Sequence, residues 1–289
     1  LFTESRYAQL VADNRPATVE HVFMLDVAES YVAARDGAFE LPVPEDVDFD
    51  GLCALLYTSG TTSMPKGVKL TNGAITGYVM GSNDAASGED MGRMALAAPL
   101  YHIAGVTSML NALYSGRVVV LLPQFEAAAW IETVQKHSVT HAFLVPTMLA
   151  RVMEADNFSK TAFEGMDGIT YGAAPMPPSV IRRAISVFPE NVSFAGAYGQ
   201  TETTSTVAVL DPDDHRVEGN EAEKALKLKR LSSVGKVLDD VEVRIVDEAG
   251  LPVELEVLGE VQLRTFRAMD GYWGNDEKTR ITVDNEGWV

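Results

Sequence analysis

Lys66 closes a stretch otherwise made of hydroxyls and glycine: Thr58, Ser59, Gly60, Thr61, Thr62, then Ser63, Met64 and Pro65. Small residues let successive backbone N–H groups turn toward an anion, the hydroxyls add donors, and the lysine adds a full positive charge, so the stretch is predicted to hold phosphate. The apolar residues 52–57 before it read as a buried strand feeding the loop. Cys53 is then expected to be a buried structural thiol. A P-loop would need glycine before the lysine and Ser or Thr after it to hold magnesium. Pro65 and Gly67 stand there instead, and Pro65 stiffens the chain where a P-loop would wrap into a helix, so P-loop chemistry is disfavoured.

A second cluster, Tyr198-Gly199-Gln200-Thr201-Glu202, follows residues 192–197, which read as a strand. The ring can stack on a base, the hydroxyl can bond phosphate, and the carboxylate can hold Mg²⁺, which prefers oxygen ligands shared with phosphate. Gly172-Ala173-Ala174-Pro175 follows another strand and has no reactive group. Its small residues suit close backbone approach to a flat ligand. His102 lies in Pro99-Leu100-Tyr101-His102-Ile103-Ala104-Gly105, between a strand and a helix.

Other constellations fail. His137 and His141 are four apart, but no glutamate follows His137, so the zinc-protease pattern is absent and both are read as structural. No Gly-x-Ser-x-Gly elbow offers a serine nucleophile. The acidic run at Asp211, Asp213 and Asp214 reads as a solvated loop rather than a metal site.

The elements that must position these residues alternate. Residues 5–13 have helical spacing, 19–25 read as a strand, and 26–51 as an exposed acidic connection. After the loop come a short strand at 67–70 and a helix at 72–83 with Thr71 as its N-cap. Strands at 94–98, 117–122, 141–145, 168–171 and 192–197 alternate with helices at 105–114, 126–137, 146–155 and 178–188. That order predicts an α/β fold with a parallel-rich sheet flanked by helices. Ligands in such sheets sit beyond the carboxyl ends of the strands, where every cluster named above falls. Residues 211–230 read as a polar surface excursion, and 233–289 as strand pairs with turns at 248–250 and Gly259, a smaller β-rich subdomain.

The 289 residues carry 41 Asp and Glu against 23 Lys and Arg, a formal charge of −18. Such a surface argues against nucleic acid or anionic membrane as partner. A single cysteine excludes a disulfide framework. Apolar runs such as 118–122 are far too short to span a bilayer, and no signal peptide is visible, so no transmembrane segment is expected and the cytoplasm is the default location.

From Tyr57 to Val68 the chain resembles the adenylate-forming superfamily of acyl-CoA synthetases, luciferases and peptide-synthetase adenylation domains, with Ser63 where that family usually has glycine. Residues 198–202 match the family's second signature, 172–175 resemble its adenine-binding segment, and Gly271-Tyr272-Trp273-Gly274-Asn275 resembles a later one. The resemblance covers most of residues 50–289. It implies a partial N-terminal domain: an α/β nucleotide- and acyl-binding core over 1–230 and a β-rich subdomain over 231–289. The mobile C-terminal domain, with its catalytic lysine, lies outside the chain, so the 289-residue piece alone is expected to have little or no ligase activity.

The resemblance further implies that ATP, Mg²⁺ and a small-molecule carboxylic acid meet here to form an acyl adenylate, which coenzyme A then converts to a thioester. Lys66 and the hydroxyls would steady the phosphates, Glu202 would place the metal, Thr201 would contact phosphate, and Tyr198 with Gly172, Ala173, Ala174 and Pro175 would fix adenine. His102 would line and gate the carboxylate pocket. No Asp or Glu lies between Met91 and Val120 to pair with an amino acid's ammonium group. The candidate pocket residues Ile103, Ala104, Gly105, Val145, Ala195 and Gly196 are small or apolar, so a medium- or long-chain fatty acid is the first expectation. An adenylation enzyme that loads a carrier protein, a luciferase-like oxygenase and a noncatalytic nucleotide-binding module remain alternatives.

Overall fold

The computed structural model describes residues 1–32, 36, 46–58 and 64–289. Its contacts group the chain into two units, Leu1–Val47 and Asp48–Val289, so the expected boundary at 230/231 falls inside the second. In the first unit a helix spans Ala8–Asn14, and β1 (Phe2–Thr3) pairs in parallel with β2 (Phe23–Met24). The expected strand at 19–25 shrinks to those two residues of β2. Much of the expected connection at 26–51 lies outside the described residues.

The second unit begins with a hairpin, β3 (Leu52–Thr58) against β4 (Lys66–Thr71), in antiparallel register from Leu52↔Thr71 to Thr58↔Lys66. β4 is buried, with Val68 and Leu70 fully enclosed. β3 is not, contrary to expectation: among the described residues it pairs only with β4, and Leu52, Cys53 and Tyr57 are exposed. Cys53 is therefore an accessible thiol rather than a core residue.

The main sheet holds β5 (Arg93–Leu96), β6 (Val118–Leu121), β7 (His141–Leu144), β8 (Gly168–Gly172), β9 (Ser193–Gln200), β10 (Ser205–Leu210) and β11 (Lys236–Val237). Their order is β11-β10-β9-β8-β7-β5-β6. The pairs from β6 to β9 are parallel, and β10 and β11 add antiparallel strands at one edge. The chain goes from β5 outward to β6 and then back across to β7, so a topological switch point lies between β5 and β7, where open α/β sheets form a crevice.

Helices at Ala127–Lys136, Pro146–Glu154 and Pro178–Val187 bury Trp130, Leu149 and Ile181 in one core cluster with Phe163, Phe188 and Ile169. Two of them start with Pro at the first position, where its missing N–H costs nothing, and Glu126 caps the third through Ala128 and Ala129 N–H. Helices Asn72–Ser82 and Ile103–Tyr114 contribute Ile75, Tyr78, Val79 and Ile103 to a separate cluster with Val68, Leu70, Met269 and Tyr272. As expected, Thr71 caps the first of them by accepting from Ala74 N–H at 3.1 Å.

The expected polar excursion at 211–230 instead folds as two helices, Pro212–His215 and Glu221–Arg230, the second begun by a reciprocal cap between Asn220 and Glu223. β12 (Glu242–Val246) and β13 (Glu260–Arg264) form the expected hairpin. The guanidinium groups of Arg244 and Arg264 lie 4.2 and 4.8 Å from the centre of the Trp288 ring.

A buried histidine, His215, and a partly buried one, His141, make stability depend on pH. His215, 2 % exposed, donates from Nδ1 to the Asp211 carbonyl and accepts from Tyr171 Oη, both at 2.8 Å. Burial holds His215 below the ordinary imidazole range, and burial with the Arg117 charge does the same to His141. The folded chain thus binds fewer protons than the unfolded one between those lowered values and the ordinary value of about 6.5. Stability therefore rises with pH across that window and is lost as pH falls through it. The melting temperature should drop between about pH 7 and pH 5, and drop less in His215→Gln. A flat profile in the parent protein would contradict this.

Candidate functional site

The site is built around the turn that follows β9. Tyr198, Gly199 and Gln200, expected beyond the strand, are its last three residues, and Thr201–Thr203 form a single tight turn. Thr204 and Ser205 then take positive φ values of 52° and 78°, which reverses the chain into β10. Gly199 is obligatory here, because a Cβ would lie 1.7 Å from the Ser205 carbonyl oxygen. Gly172, at the end of β8, is likewise held: a Cβ would lie 2.3 Å from the Ala197 carbonyl oxygen.

The strained turn is locked from behind by Arg267, 1 % exposed. Its guanidinium donates to Asp240 through Nε (2.5 Å) and Nη2 (3.1 Å), and to the carbonyls of Thr203, Thr204 and Thr206 at 3.2–3.3 Å. Thr204 Oγ1 returns a hydrogen bond to the Arg267 carbonyl at 2.6 Å. Those bonds hold the Asp240 carboxyl below its usual range, against the opposing effect of burial.

Lys66 opens β4, and Glu202 sits in the turn. Tyr272 joins them. Its hydroxyl donates to Glu202 Oε1 at 2.8 Å and accepts from Lys66 Nζ at 3.4 Å, while the ammonium also lies 4.7 Å from the centre of the ring. The segment bearing Tyr272 is strapped to both partners by backbone bonds: Trp273 N–H to Gly67 O, Lys69 N–H to Gly271 O, and Met269 N–H to Glu202 O. Burial, and then the bond to Glu202, push the Tyr272 phenol up to about 12, so it remains a donor at neutral pH. Sequence reasoning placed Tyr272 in a recognisable segment without assigning it a role. Its spacing from Lys66 and Glu202 carries no local signal.

Two cavities meet at this turn. The smaller, about 370 Å³, is lined by Gly172, Ala173, Ala174 and Pro175 on one side and Tyr198 and Gly199 on the other. The larger, about 630 Å³, is lined at its mouth by His102, Gln200, Thr201 and Glu202, and shares Ala173 and Gly199 with the first. Small side chains around the first leave a slot suited to a flat ring. His102 is exposed and caps the Ile103–Tyr114 helix, its Nδ1 accepting from Ala104 N–H at 3.1 Å. Of the residues expected around it, Ile103, Ala104 and Ala195 line the larger cavity, Gly196 lines the smaller, and Gly105 and Val145 line neither.

Of the loop expected to hold phosphate, Ser59, Gly60, Thr61 and Thr62 lie outside the described residues. Thr58 Oγ1, at its edge, is buried with no hydrogen-bond partner among the described residues. No group of three or more His, Cys, Asp or Glu could hold a metal ion among the described residues. That fits Mg²⁺ brought in on phosphate oxygens, which needs only one or two protein carboxylates.

The chain matches the family described as AMP-binding enzyme over residues 2–273. A feruloyl-CoA synthase of Amycolatopsis sp is 31% identical over 257 residues, 88% of this chain and 48% of that protein. The mitochondrial medium-chain acyl-CoA ligase ACSF2 of Macaca fascicularis is 30% identical over 80% of this chain and 37% of its own length. The chain thus spans about half the length, or less, of these curated relatives. Among solved structures, the o-succinylbenzoate coenzyme A synthetase of Bacillus subtilis in complex with ATP and magnesium superposes with a TM-score of 0.79 at 25% identity, over 100% of this chain and 55% of that one.

Proposed function

The chain belongs to the AMP-binding enzyme family, and from that premise we propose that the full-length protein is an acid-thiol ligase that joins a carboxylic acid to coenzyme A through an acyl adenylate. The observation that carries this reading is the Tyr272 hydroxyl, which links Lys66 to Glu202 where a slot for a flat ring meets a deeper cavity. A cation for phosphate, a carboxylate for a metal, and separate spaces for a base and an acid are what adenylate formation requires.

In the first step a carboxylate oxygen of the acid attacks the α-phosphorus of ATP, and the bond from that phosphorus to pyrophosphate breaks. This chemistry is mostly positioning and neutralisation of charge. Lys66, with Thr58, Ser59, Gly60, Thr61 and Thr62, holds the departing phosphates. Thr201 contacts phosphate, Tyr198 stacks on adenine over the backbone of Gly172, Ala173, Ala174 and Pro175, and His102 orients the acid's carboxylate. Glu202 would hold Mg²⁺, which when bound would neutralise phosphate charge. In the second step the thiol sulfur of coenzyme A attacks the acyl carbon and the bond to AMP breaks.

Tyr272 is a positioning residue in this scheme, because its hydroxyl orients the two charged groups and touches no substrate. Tyr272→Phe should slow adenylate formation about tenfold, the loss of one hydrogen bond to a charged group, with little change in the KM for the acid. An unchanged rate would show that Lys66 and Glu202 orient themselves.

The acid is proposed to be medium-sized and mainly apolar near its carboxyl end, as Ile103, Ala104 and Ala195 around the cavity require. A medium- or long-chain fatty acid is one such class. Among the described residues no helix is long and apolar enough to cross a membrane, and the cytoplasmic location expected from composition is carried in the same proposal. The test is thioester formation by the full-length protein with ATP, Mg²⁺ and coenzyme A across fatty, aryl and amino acids. Thioester with release of AMP and pyrophosphate supports the reading. Adenylate that passes only to a carrier protein would contradict the choice of coenzyme A.

A further inference from the structure

The smaller cavity has a further wall, made of Leu231, Ser232, Ser233 and Val234. This wall follows the helix Glu221–Arg230 and runs into Gly235 and β11. Leu231, 3 % exposed, is anchored in the same core cluster as Tyr171 and Leu210. Gly235 has a φ of 86°, and a Cβ there would lie 1.9 Å from the Val209 carbonyl oxygen, so the chain turns tightly onto β10. Between these two ends Ser232, Ser233 and Val234 are exposed.

The wall is carried by the segment 211–230, whose two helices are tied to each other at the surface. Arg230 pairs with Asp214 at 2.8 Å, and Lys227 Nζ donates to the Arg216 carbonyl at 2.7 Å. Such exposed bonds contribute little by themselves. The segment reaches the sheet through a buried bond, from His215 at the end of its first helix to Tyr171 of β8, which is 5 % exposed. A carbonyl can only accept, so the contact of Nδ1 with the Asp211 carbonyl fixes the imidazole hydrogen on Nδ1. Burial keeps the ring neutral, and its Nε2 therefore accepts from Tyr171 Oη at 2.8 Å. The tyrosine ring lies against β9 at Gly196, where a Cβ would be 3.1 Å from both Cζ and Oη. One hydrogen bond thus joins the strand that leads into Gly172–Pro175 to the segment that leads into Leu231–Val234.

We propose that Tyr171 and His215 are positioning residues for the nucleotide, their hydrogen bond holding Leu231–Val234 at the width of an adenine ring, with Val234 as an apolar contact of the base. This rests on reading the smaller cavity as the adenine slot. Without the bond, His215 Nε2 is a buried acceptor with no partner, and the segment gains by shifting until water reaches it. Nucleotide then binds only those molecules whose wall is in place, and its apparent affinity falls by that fraction. Saturating ATP restores the wall, so the rate of the chemical step is kept. The acid, in the other cavity, is unaffected.

The test uses the full-length protein and two readouts, the Kd of labelled AMP by equilibrium dialysis well below each variant's melting temperature, and kcat with KM values from acid-dependent pyrophosphate exchange. Tyr171→Phe and His215→Leu should each raise the Kd for AMP and the KM for ATP about tenfold, with kcat and the KM for the acid unchanged. The double variant should bind no worse than either single one, because both remove the same bond. His215→Gln, whose amide oxygen can still accept from Tyr171, should keep the affinity of the parent. Val234→Asp reads the wall itself at an exposed position, so it answers even if the buried variants fail to fold, and should weaken AMP about tenfold. Variants at Tyr171 and His215 that melt lower yet bind AMP as the parent does would overturn the inference. So would a loss of kcat with the KM for ATP unchanged, a His215→Gln as weak as His215→Leu, or an unaltered affinity in Val234→Asp. Failure of AMP to bind the parent protein would instead overturn the reading of the slot, and this inference with it.

Discussion

Glu202→Gln is expected to lower adenylate formation by the full-length protein by about 10³-fold or more, the scale of losing a preorganised charge at the reacting phosphate. The substitution is nearly isosteric, and its amide oxygen can still accept the Tyr272 hydroxyl hydrogen bond, so the turn at Thr201–Thr203 keeps its shape. What disappears is the negative charge proposed to hold Mg²⁺. Because Glu202 accepts only that one side-chain bond among the described residues, stability should change by no more than about 1 kcal/mol. A rate within tenfold of the parent protein, measured with saturating ATP and Mg²⁺, would remove Glu202 from its proposed role.

Arg267→Met has the largest expected effect on folding, about 2–4 kcal/mol, because buried polar groups of the turn lose their donor, while the exposed Asp240 carboxylate can still be solvated. The side chain also holds three carbonyls of the turn, at Thr203, Thr204 and Thr206, so what remains of the site should lose its geometry as well. Chemical denaturation reads the loss directly. Asp240→Leu combined with Arg267→Met should be about as destabilised as Arg267→Met alone, because the exposed Asp240 carboxylate is solvated once its partner is gone. A single variant within about 1 kcal/mol of the parent would mean that the turn supports itself.

The alternating elements of the main sheet were legible because buried parallel strands read as short apolar runs and their helices carry proline or capping starts. The strand order was not. Pairing β6 with β5 and then returning to β7 is settled by packing between distant segments, for which sequence has no local sign. β9 runs on through Gln200 despite Gly199, a poor strand former, because Thr206 and Ser205 of β10 hold Gly199 and Gln200 in register. The helix Glu221–Arg230 was hidden by its high density of charged residues, although the spacing of Asn220 and Glu223 was a capping signal that could have shown it.

Site residues divide the same way. Gly172–Pro175 and Tyr198–Glu202 are contiguous, so the roles proposed for them could be formulated from residue types alone. Tyr272 acts on Glu202, 70 residues away, and Arg267 on turn carbonyls 61 to 64 residues away, and only the folded chain brings them there. Cys53 shows the opposite error: an apolar run was read as buried, yet β3 has one hydrogen-bonded neighbour and the thiol is exposed. The wall of the larger cavity is a third case. Asn111, Arg117 and His141 come from three separate segments, and neither their types nor their spacing announced a shared wall.

The most direct measurement is acid-dependent exchange of labelled pyrophosphate into ATP by the full-length protein, without coenzyme A. Exchange requires the acyl adenylate to form and to reverse, so it isolates the step assigned to Lys66, Glu202 and the two cavities. The account predicts exchange that needs both a carboxylic acid and Mg²⁺ and that vanishes in Glu202→Gln. Exchange that proceeds without any acid, or no exchange across the acids that fit the cavity, would contradict it.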